Sequence, residues 1–400
     1  MSRSKIAIIG AGPAGLTLAR ILHKNNILCT VYESDQSATS RTQGGSLDLH
    51  SHSGQAALKE AGIYDEFERL ARYEGEDFVL KDRFGNIHVE VKDTQRGRPE
   101  IDRVQLRQIL LDSLPKDVVK WDHHVDSVEI GAIHFRNQPS ASGFELIVGA
   151  DGAWSKVRPL LSTVSPFYSG ISGIELRHQD FDVRHPELAA MVGKGSHFVF
   201  GEDKRKALLS QRQGDGSLRT YAFMHKPENY IKTVSLDLSD GESVKKLLLE
   251  EYKDFAPELT RIIRDCDVGK GDEIVSRALY MLPVGLTWPT TSGVTVIGDA
   301  AHLMTPFTGQ GVNMAMLDAL ELGVAICKQP DALMEAVRQY ERSMFPRAEQ
   351  WTSRTWKSTL SRFAPGGLKE FRARMKTMLE EATEQGSVKP PNVKILEDEI

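Results

Sequence analysis

Three glycines in Gly10–Ala11–Gly12–Pro13–Ala14–Gly15, followed by Glu33 23 positions after Gly10, have the types and spacing to hold a dinucleotide. Gly10 permits a tight turn, Gly12 lets backbone approach a pyrophosphate, and Gly15 lets a helix lie close to a strand. Glu33 is placed to accept hydrogen bonds from a ribose. These residues alone do not distinguish FAD from NAD. A second set runs from Gly298 to Asn313. Asp299 is a short acceptor for sugar hydroxyls, and Pro306, Gly309, Gln310, Gly311 and Asn313 follow in a segment whose glycines let amides approach a flat ring. The same residues would also serve as a helix cap and turn. Asp151–Gly152 is a third, shorter signature. No Ser-His-Asp or Cys-His arrangement and no clustered metal ligands occur, so no side chain is assigned a nucleophilic or general-base role and no metal is expected. His302 reads as a packed histidine rather than a catalytic one.

The elements that must carry these residues are legible. Ile6–Ala7–Ile8–Ile9 and Leu28–Cys29–Thr30–Val31–Tyr32 are apolar runs typical of buried strands. The helix between them points unpaired N–H groups and its positive end at the phosphates. Residues 145–149 predict a strand turning at Asp151–Gly152, and 155–161 the start of a helix. Residues 294–297 predict another strand, and 311–327 a helix. Residues 53–70 read as helical, as do 102–114, where Arg103 and Arg107 are four apart and both guanidinium groups can face a cofactor. From about Phe167 to Lys232 polar and apolar residues alternate, which predicts an antiparallel sheet. Helices are expected at 244–255 and 258–265, and from 332 past 362, with a break at Pro365–Gly366–Gly367 and a resumption to about Glu384.

The chain has 400 residues, a formal net charge of −5, 40% hydrophobic and 26% charged residues, which fits a soluble enzyme and excludes nucleic acid as a partner. Cys29, Cys266 and Cys327 form no CxxC pair, which fits a reducing, cytoplasmic setting. The run from Ile6 to Leu22 carries three glycines and a proline and reads as strand and helix rather than a signal peptide. No run of about 18 apolar residues predicts a membrane span.

Gly10–x–Gly12–x–x–Gly15, Asp151–Gly152 and Gly298–Asp299–Ala300–Ala301–His302 with Pro306, in this order and at these separations, resemble the class A (single-component) flavoprotein monooxygenases, or aromatic hydroxylases. The resemblance covers residues 5 to about 350. It implies an α/β fold: a Rossmann-like, para-hydroxybenzoate hydroxylase-like FAD-binding domain from 1–166 and 268–330, an inserted antiparallel-sheet substrate domain at 167–267, a helical region at 331–385 that bridges the two or makes a subunit contact, and a loose tail at 386–400. A closer resemblance is to the tetracycline-inactivating flavin monooxygenases. It rests on Arg41, Gly44–Gly45–Ser46–Leu47–Asp48–Leu49–His50, Ser53–Gly54–Gln55 and Glu100–Ile101–Asp102–Arg103–x–x–Leu106–Arg107. It implies that Asp48, Arg103 and Asp299 contact FAD and that Arg41 helps receive NADPH.

The implied activity is an NADPH-consuming, O2-using hydroxylation of an aromatic or polycyclic small molecule through a flavin C4a-hydroperoxide, with Pro306 and Gly309 to Gly311 bordering the reacting side of the ring. In the substrate half the chain departs from the tetracycline-inactivating pattern, having Ile174 or Glu175, Ala207 and Arg219 near the pocket positions. Phe198, Phe200, Arg219, Tyr221, Phe223 and Met224 line a substrate or, for the apolar ones, fill the sheet core. A reductase or saturase on the same frame, or a non-catalytic escort-like binding protein, are the alternatives. A monomer is expected, with a dimer left open.

Overall fold

The structure is a computed structural model that describes residues 5–40, 44–92, 97–268, 274–384 and 392–395. Its chain divides into two compact units: residues 1–71, 101–167 and 280–356, and residues 72–100, 168–279 and 357–400.

In the first unit, five strands lie in the order Val294–Val296, Leu146–Gly149, Ile6–Ile9, Cys29–Tyr32, Val119–Lys120, every pair parallel. Such a sheet must be covered on both faces, and Ile6, Ile8, Ile147, Val148, Val294 and Val296 are accordingly buried. Helix Pro13–Lys24 packs on helix Gly311–Lys328, where a Cβ on Gly323 would lie 2.8 Å from Ile21. Parallel pairing has one consequence that matters most for the site. Ile9 stands opposite both Gly149 and Tyr32, and Gly149 opposite Val296. The segments that leave these strand ends, at Gly10, Glu33, Asp151 and Gly298, therefore emerge along one edge.

The second unit is built on an eight-stranded sheet in the order Val275–Met281, Phe167–His178, Leu218–His225, Lys206–Arg212, Ser196–Gly201, Phe78–Asp82, Ile87–Lys92, Asn392–Ile395. Ser196–Gly201 pairs with Phe78–Asp82 in parallel, while the hairpin and meander pairs around it are antiparallel. Helices Gly241–Glu251 and Pro257–Arg264 cover the face bearing Ile174, Leu176, Val199, Leu208, Ala222 and Met224.

The structure departs from the sequence reading at several places, the segment 268–279, which falls in the second unit, among them. Residues 72–100 belong to the second unit because Phe78–Asp82 finds its partner more than a hundred residues away, which no local periodicity reveals. The helix at 53–70 is two, Gly54–Ala61 and Tyr64–Glu68, split where Gly62 takes φ +70°. At 155–161 only a 3₁₀ turn, Arg158–Leu160, forms, since Ser155 Oγ captures the amides of Val157 and Arg158. The region at 331–385 comprises helices Leu333–Arg362 and Gly367–Glu384, and the chain passes from the first unit to the second at residue 357. Of the tail read as loose, Asn392–Ile395 pairs antiparallel with the strand Ile87–Lys92, and the rest of 386–400 lies outside the described residues.

His178 and His197 are fully buried in the second unit, and neither ring nitrogen of either one has a hydrogen-bond partner among the described residues. Burial pushes His197 down to about 3, helped by Lys81. It pushes His178 down to about 4, with His185 and Lys245 adding to the effect and Asp267 and Asp265 opposing it. Both rings are neutral in the fold, whereas in the unfolded chain they take up protons below about pH 6.5. The stability they leave intact above that pH is lost as pH falls, at about 1.4 kcal/mol per pH unit for each ring, down to about pH 4 for His178 and about pH 3 for His197. Thermal unfolding should show a midpoint that drops steadily from pH 6.5 to 4, and a His197→Leu variant should flatten that slope; an unchanged slope refutes the assignment.

Candidate cofactor site

The first glycine turn is as tight as backbone allows. A Cβ on Gly10, at φ +107°, would lie 2.4 Å from Ala150 O, and one on Gly15 2.1 Å from Gly10 O. Neither position tolerates a side chain. Gly12 differs: its φ of −83° is ordinary, and a Cβ there would meet nothing within 4 Å. It caps helix Pro13–Lys24 with no side-chain hydrogen bond, so the first-turn amides face open space.

Glu33 is buried at the end of strand Cys29–Tyr32. Its Oε2 accepts the Ala11 amide at 2.6 Å, and Oε1 accepts the Asp35 amide at 2.9 Å and the Ser34 hydroxyl at 3.0 Å. Burial alone would raise its pKa; those three donors, with Arg107, outweigh it and hold the carboxyl below its usual range. A carboxylate has about four acceptor positions, so Glu33 can brace the turn and still receive a ribose hydroxyl. Arg107, expected beside Arg103 on a cofactor, is placed otherwise. Its guanidinium is buried, donating to Ala11 O at 3.1 Å and to Asp35 Oδ2 at 2.8 Å, and it braces the turn from behind. Arg103 is half-buried and acts electrostatically on Asp299.

The second lip is built around Asn313, which is fully buried. Its Oδ1 accepts the His50 amide at 2.8 Å and the Ser53 hydroxyl at 3.0 Å, while Nδ2 donates to Asp48 O at 2.8 Å. Asn313 thereby ties the segment after strand Ser46–Asp48 to the start of helix Gly311–Lys328. Asp48 keeps a half-exposed carboxylate, bonded to His50 Nε2 at 3.0 Å, beside Gly309. Gln310 is buried; Pro306 and Gly309 are exposed, and a Cβ on Gly311 would meet nothing within 4 Å. Helix Gly311–Lys328 also lacks a side-chain cap, so a second set of free amides opens here.

Asp299 is open to solvent yet closely walled by protein, as at the floor of a cleft. That crowding raises its pKa, against the pull of His302 and Arg103. Arg158, which sequence reasoning passed over, links the Asp151 and Asp299 turns by donating to Ala153 O at 2.9 Å and Ala300 O at 3.1 Å. Its signal was only its place seven residues after Asp151. Asp151 Oδ2 accepts the Lys156 amide at 2.7 Å, and burial raises its pKa. Arg41 lies outside the described residues.

Gly10, Gly12, Gly15, Glu33, Asp48, Arg103, Asp299, Pro306, Gly309, Gly311 and Asn313 thus all belong to the first unit, with two uncapped helix ends and two unfilled glycine positions. That donor set fits a dinucleotide bearing a pyrophosphate, sugar hydroxyls and a flat ring. Phe198, Arg219, Tyr221 and Phe223 belong to the second unit, on the sheet face away from its two covering helices. Tyr221 and Phe223 stack at 5.6 Å and 11°, Phe198 packs edge-on to Phe78, and Arg219 pairs with buried Glu175, which Arg277 also meets at 2.9 Å. Met224, expected on the same wall, points to the helix-covered face because it is one residue out of phase.

Residues 3–355 match a family described as FAD binding domain. The chain is 32% identical to monooxygenase penA of Penicillium thymicola, covering 92% of this chain and 98% of that one. It is 31% identical to monooxygenase asqM of Emericella nidulans, over 90% and 96%. Its fold is that of Klebsiella pneumoniae HpxO complexed with FAD and uric acid, at a TM-score of 0.75 and 22% identity over 96% and 95%. The tetracycline destructase Tet(51) shares the fold at a TM-score of 0.68 and 19% identity over 96% and 98%. Among the described residues no helix is long and apolar enough to cross a membrane.

The two glycine classes should separate cleanly in experiment. Gly15→Ala should cost the apoprotein on the order of 3 kcal/mol, because its Cβ strikes backbone. Gly12→Ala should leave the unfolding midpoint of the apoprotein unchanged and weaken FAD at least tenfold in a flavin-fluorescence titration. Equal FAD affinity in Gly12→Ala and wild type would remove Gly12 from the site.

Proposed function

The chain belongs to the FAD-binding family of class A flavoprotein monooxygenases and is an FAD-dependent monooxygenase, and on that premise we propose that it draws electrons from NADPH and hydroxylates an aromatic or polycyclic small molecule. When bound, FAD supplies the redox and oxygen chemistry. The chain's own residues bind and orient. The amides after Gly12, with Glu33 bracing their turn, would hold the pyrophosphate and ribose; Asp48 and Asp299 would accept from the sugar-like hydroxyls, Arg103 would meet a phosphate, and the positive helix end at Gly311 would favour negative charge on the ring. Pro306 and Gly309 would lie beside the bound cofactor, and Arg41 would receive NADPH.

One observation carries the substrate class: the stacked Tyr221–Phe223 pair with Phe198 on one sheet face, beside the Glu175–Arg219 ion pair. Stacked rings give a flat apolar wall, and the ion pair gives a polar edge. HpxO, crystallised with uric acid, is a fold relative whose ligand is a flat heterocycle. Tetracycline is the narrower reading. The shared fold of Tet(51) favours it.

Purified protein should carry yellow FAD, and NADPH oxidation with oxygen uptake should be stimulated by some members of a panel of tetracyclines, anthraquinones and simple phenols. The stimulated compound should gain one oxygen atom by mass spectrometry. Peroxide release at the same rate with and without every flat compound would overturn the substrate class, and stimulation by tetracycline without oxygen gain would overturn the narrower reading.

A further inference from the structure

Asp318 is fully buried two turns into helix Gly311–Lys328 and carries no expected role in cofactor contact. Its Oδ2 accepts the Gly298 amide at 2.9 Å and meets His302 Nε2 at 2.6 Å; its Oδ1 accepts Arg347 NH2 at 2.9 Å. Arg347 in turn donates to Glu321 at 2.7 Å. His302 Nδ1 is buried with no partner among the described residues, so the ring's one bond is the one to Asp318. Gly298 takes φ +63° and ψ −139°, and a Cβ there would lie 3.1 Å from the Ala315 Cβ on the same helix. Its backbone is thus bent in a glycine-only conformation, and its amide is tethered to a carboxylate of the helix whose first turn forms the second lip.

We infer that Asp318 is a positioning residue for FAD, coupling the direction of Asp299 to the helix end at Gly311 through Gly298 and His302. The next residue after the tethered Gly298 is Asp299, and His302 closes the short helix Asp299–His302. The carboxylate therefore holds both ends of the segment that presents Asp299, from a place where it touches no cofactor atom. Burial would by itself make Asp318 take a proton, but His302, Arg347 and the Gly298 amide together hold its carboxyl below the usual range; Asp318 likewise outweighs the burial of His302 and raises that ring's pKa above its ordinary value. Charge-assisted bonds of this kind are stiff, because each partner loses a desolvated ion if the other moves.

The inference rests on Asp299 facing FAD, so the experiment tests the two apart. Glu341 provides the control. It is equally buried in the same unit and accepts from Trp288, Thr290 and Thr295, and none of its partners belongs to the cofactor lips. Asp318→Asn, His302→Gln, Asp299→Ala and Glu341→Gln are compared with wild type by apoprotein unfolding midpoint, FAD dissociation constant and the visible absorption spectrum of bound flavin. Expected are a tenfold or greater loss of FAD affinity with an altered flavin spectrum in Asp318→Asn and His302→Gln, and a similar or larger loss in Asp299→Ala. In Glu341→Gln the midpoint should fall while affinity stays within twofold. Where Asp318→Asn does not fold, His302→Gln gives the same reading. Unchanged affinity in both Asp318→Asn and His302→Gln, with Asp299→Ala impaired, overturns the coupling; unchanged affinity in Asp299→Ala overturns the placement of Asp299 and the coupling with it.

Discussion

Strand Ile6–Ile9 can be joined to helix Pro13–Lys24 only by a turn that brings the Cα of Gly15 against the carbonyl of Gly10, and much of the first unit follows from that contact. The residue that caps the helix is Gly12, which has no side chain to satisfy the first amides. They must point outward, where a phosphate can take them. The turn also exposes the Ala11 amide and carbonyl, and each is taken by a buried charged group: Glu33 accepts the amide and Arg107 donates to the carbonyl. The turn is held from behind by ions so that its front can stay unpaired.

The same economy recurs at the other strand ends. Arg158 fastens the Asp151 turn to the Asp299 turn, Asn313 fastens the segment near His50 to the second lip, and Asp318 fastens Gly298 to the helix behind it. All are polar groups bonded to backbone. A side chain that satisfies a buried amide or carbonyl fixes a loop more sharply than apolar packing does, because the loss of one such partner leaves a desolvated group costing about 1–3 kcal/mol.

What the sequence made legible was the part written locally. Three glycine motifs, the strands before them and the helices after them are short patterns whose physical reason lies within a few residues, and the parallel sheet follows from them. What stayed hidden depends on partners distant in the chain. Phe78–Asp82 looked like part of the first domain because its pairing with Ser196–Gly201 leaves no local trace. Arg107 has the right spacing from Arg103 to share a helix face, but the position of Asp35 and Ala11 decides where its guanidinium goes. Asp318 and Arg347 are 29 residues apart on different helices, and nothing in either neighbourhood marks them as a pair. On the substrate side, alternation gave the strands; the face each side chain occupies, and hence the place of Met224, needed the positions of two helices.

The bond from Asn313 to the His50 amide spans 263 positions of the chain. During synthesis the glycine turn leaves the ribosome first, and at roughly 5–20 residues per second the partner of His50 follows on the order of 15–60 s later. Until then strand Leu146–Gly149 also lacks its neighbour Val294–Val296. A nascent chain therefore displays half a cradle with an unpaired sheet edge, a state open to association with other chains. The two lips of the cradle are joined only once the segment carrying Asn313 has emerged.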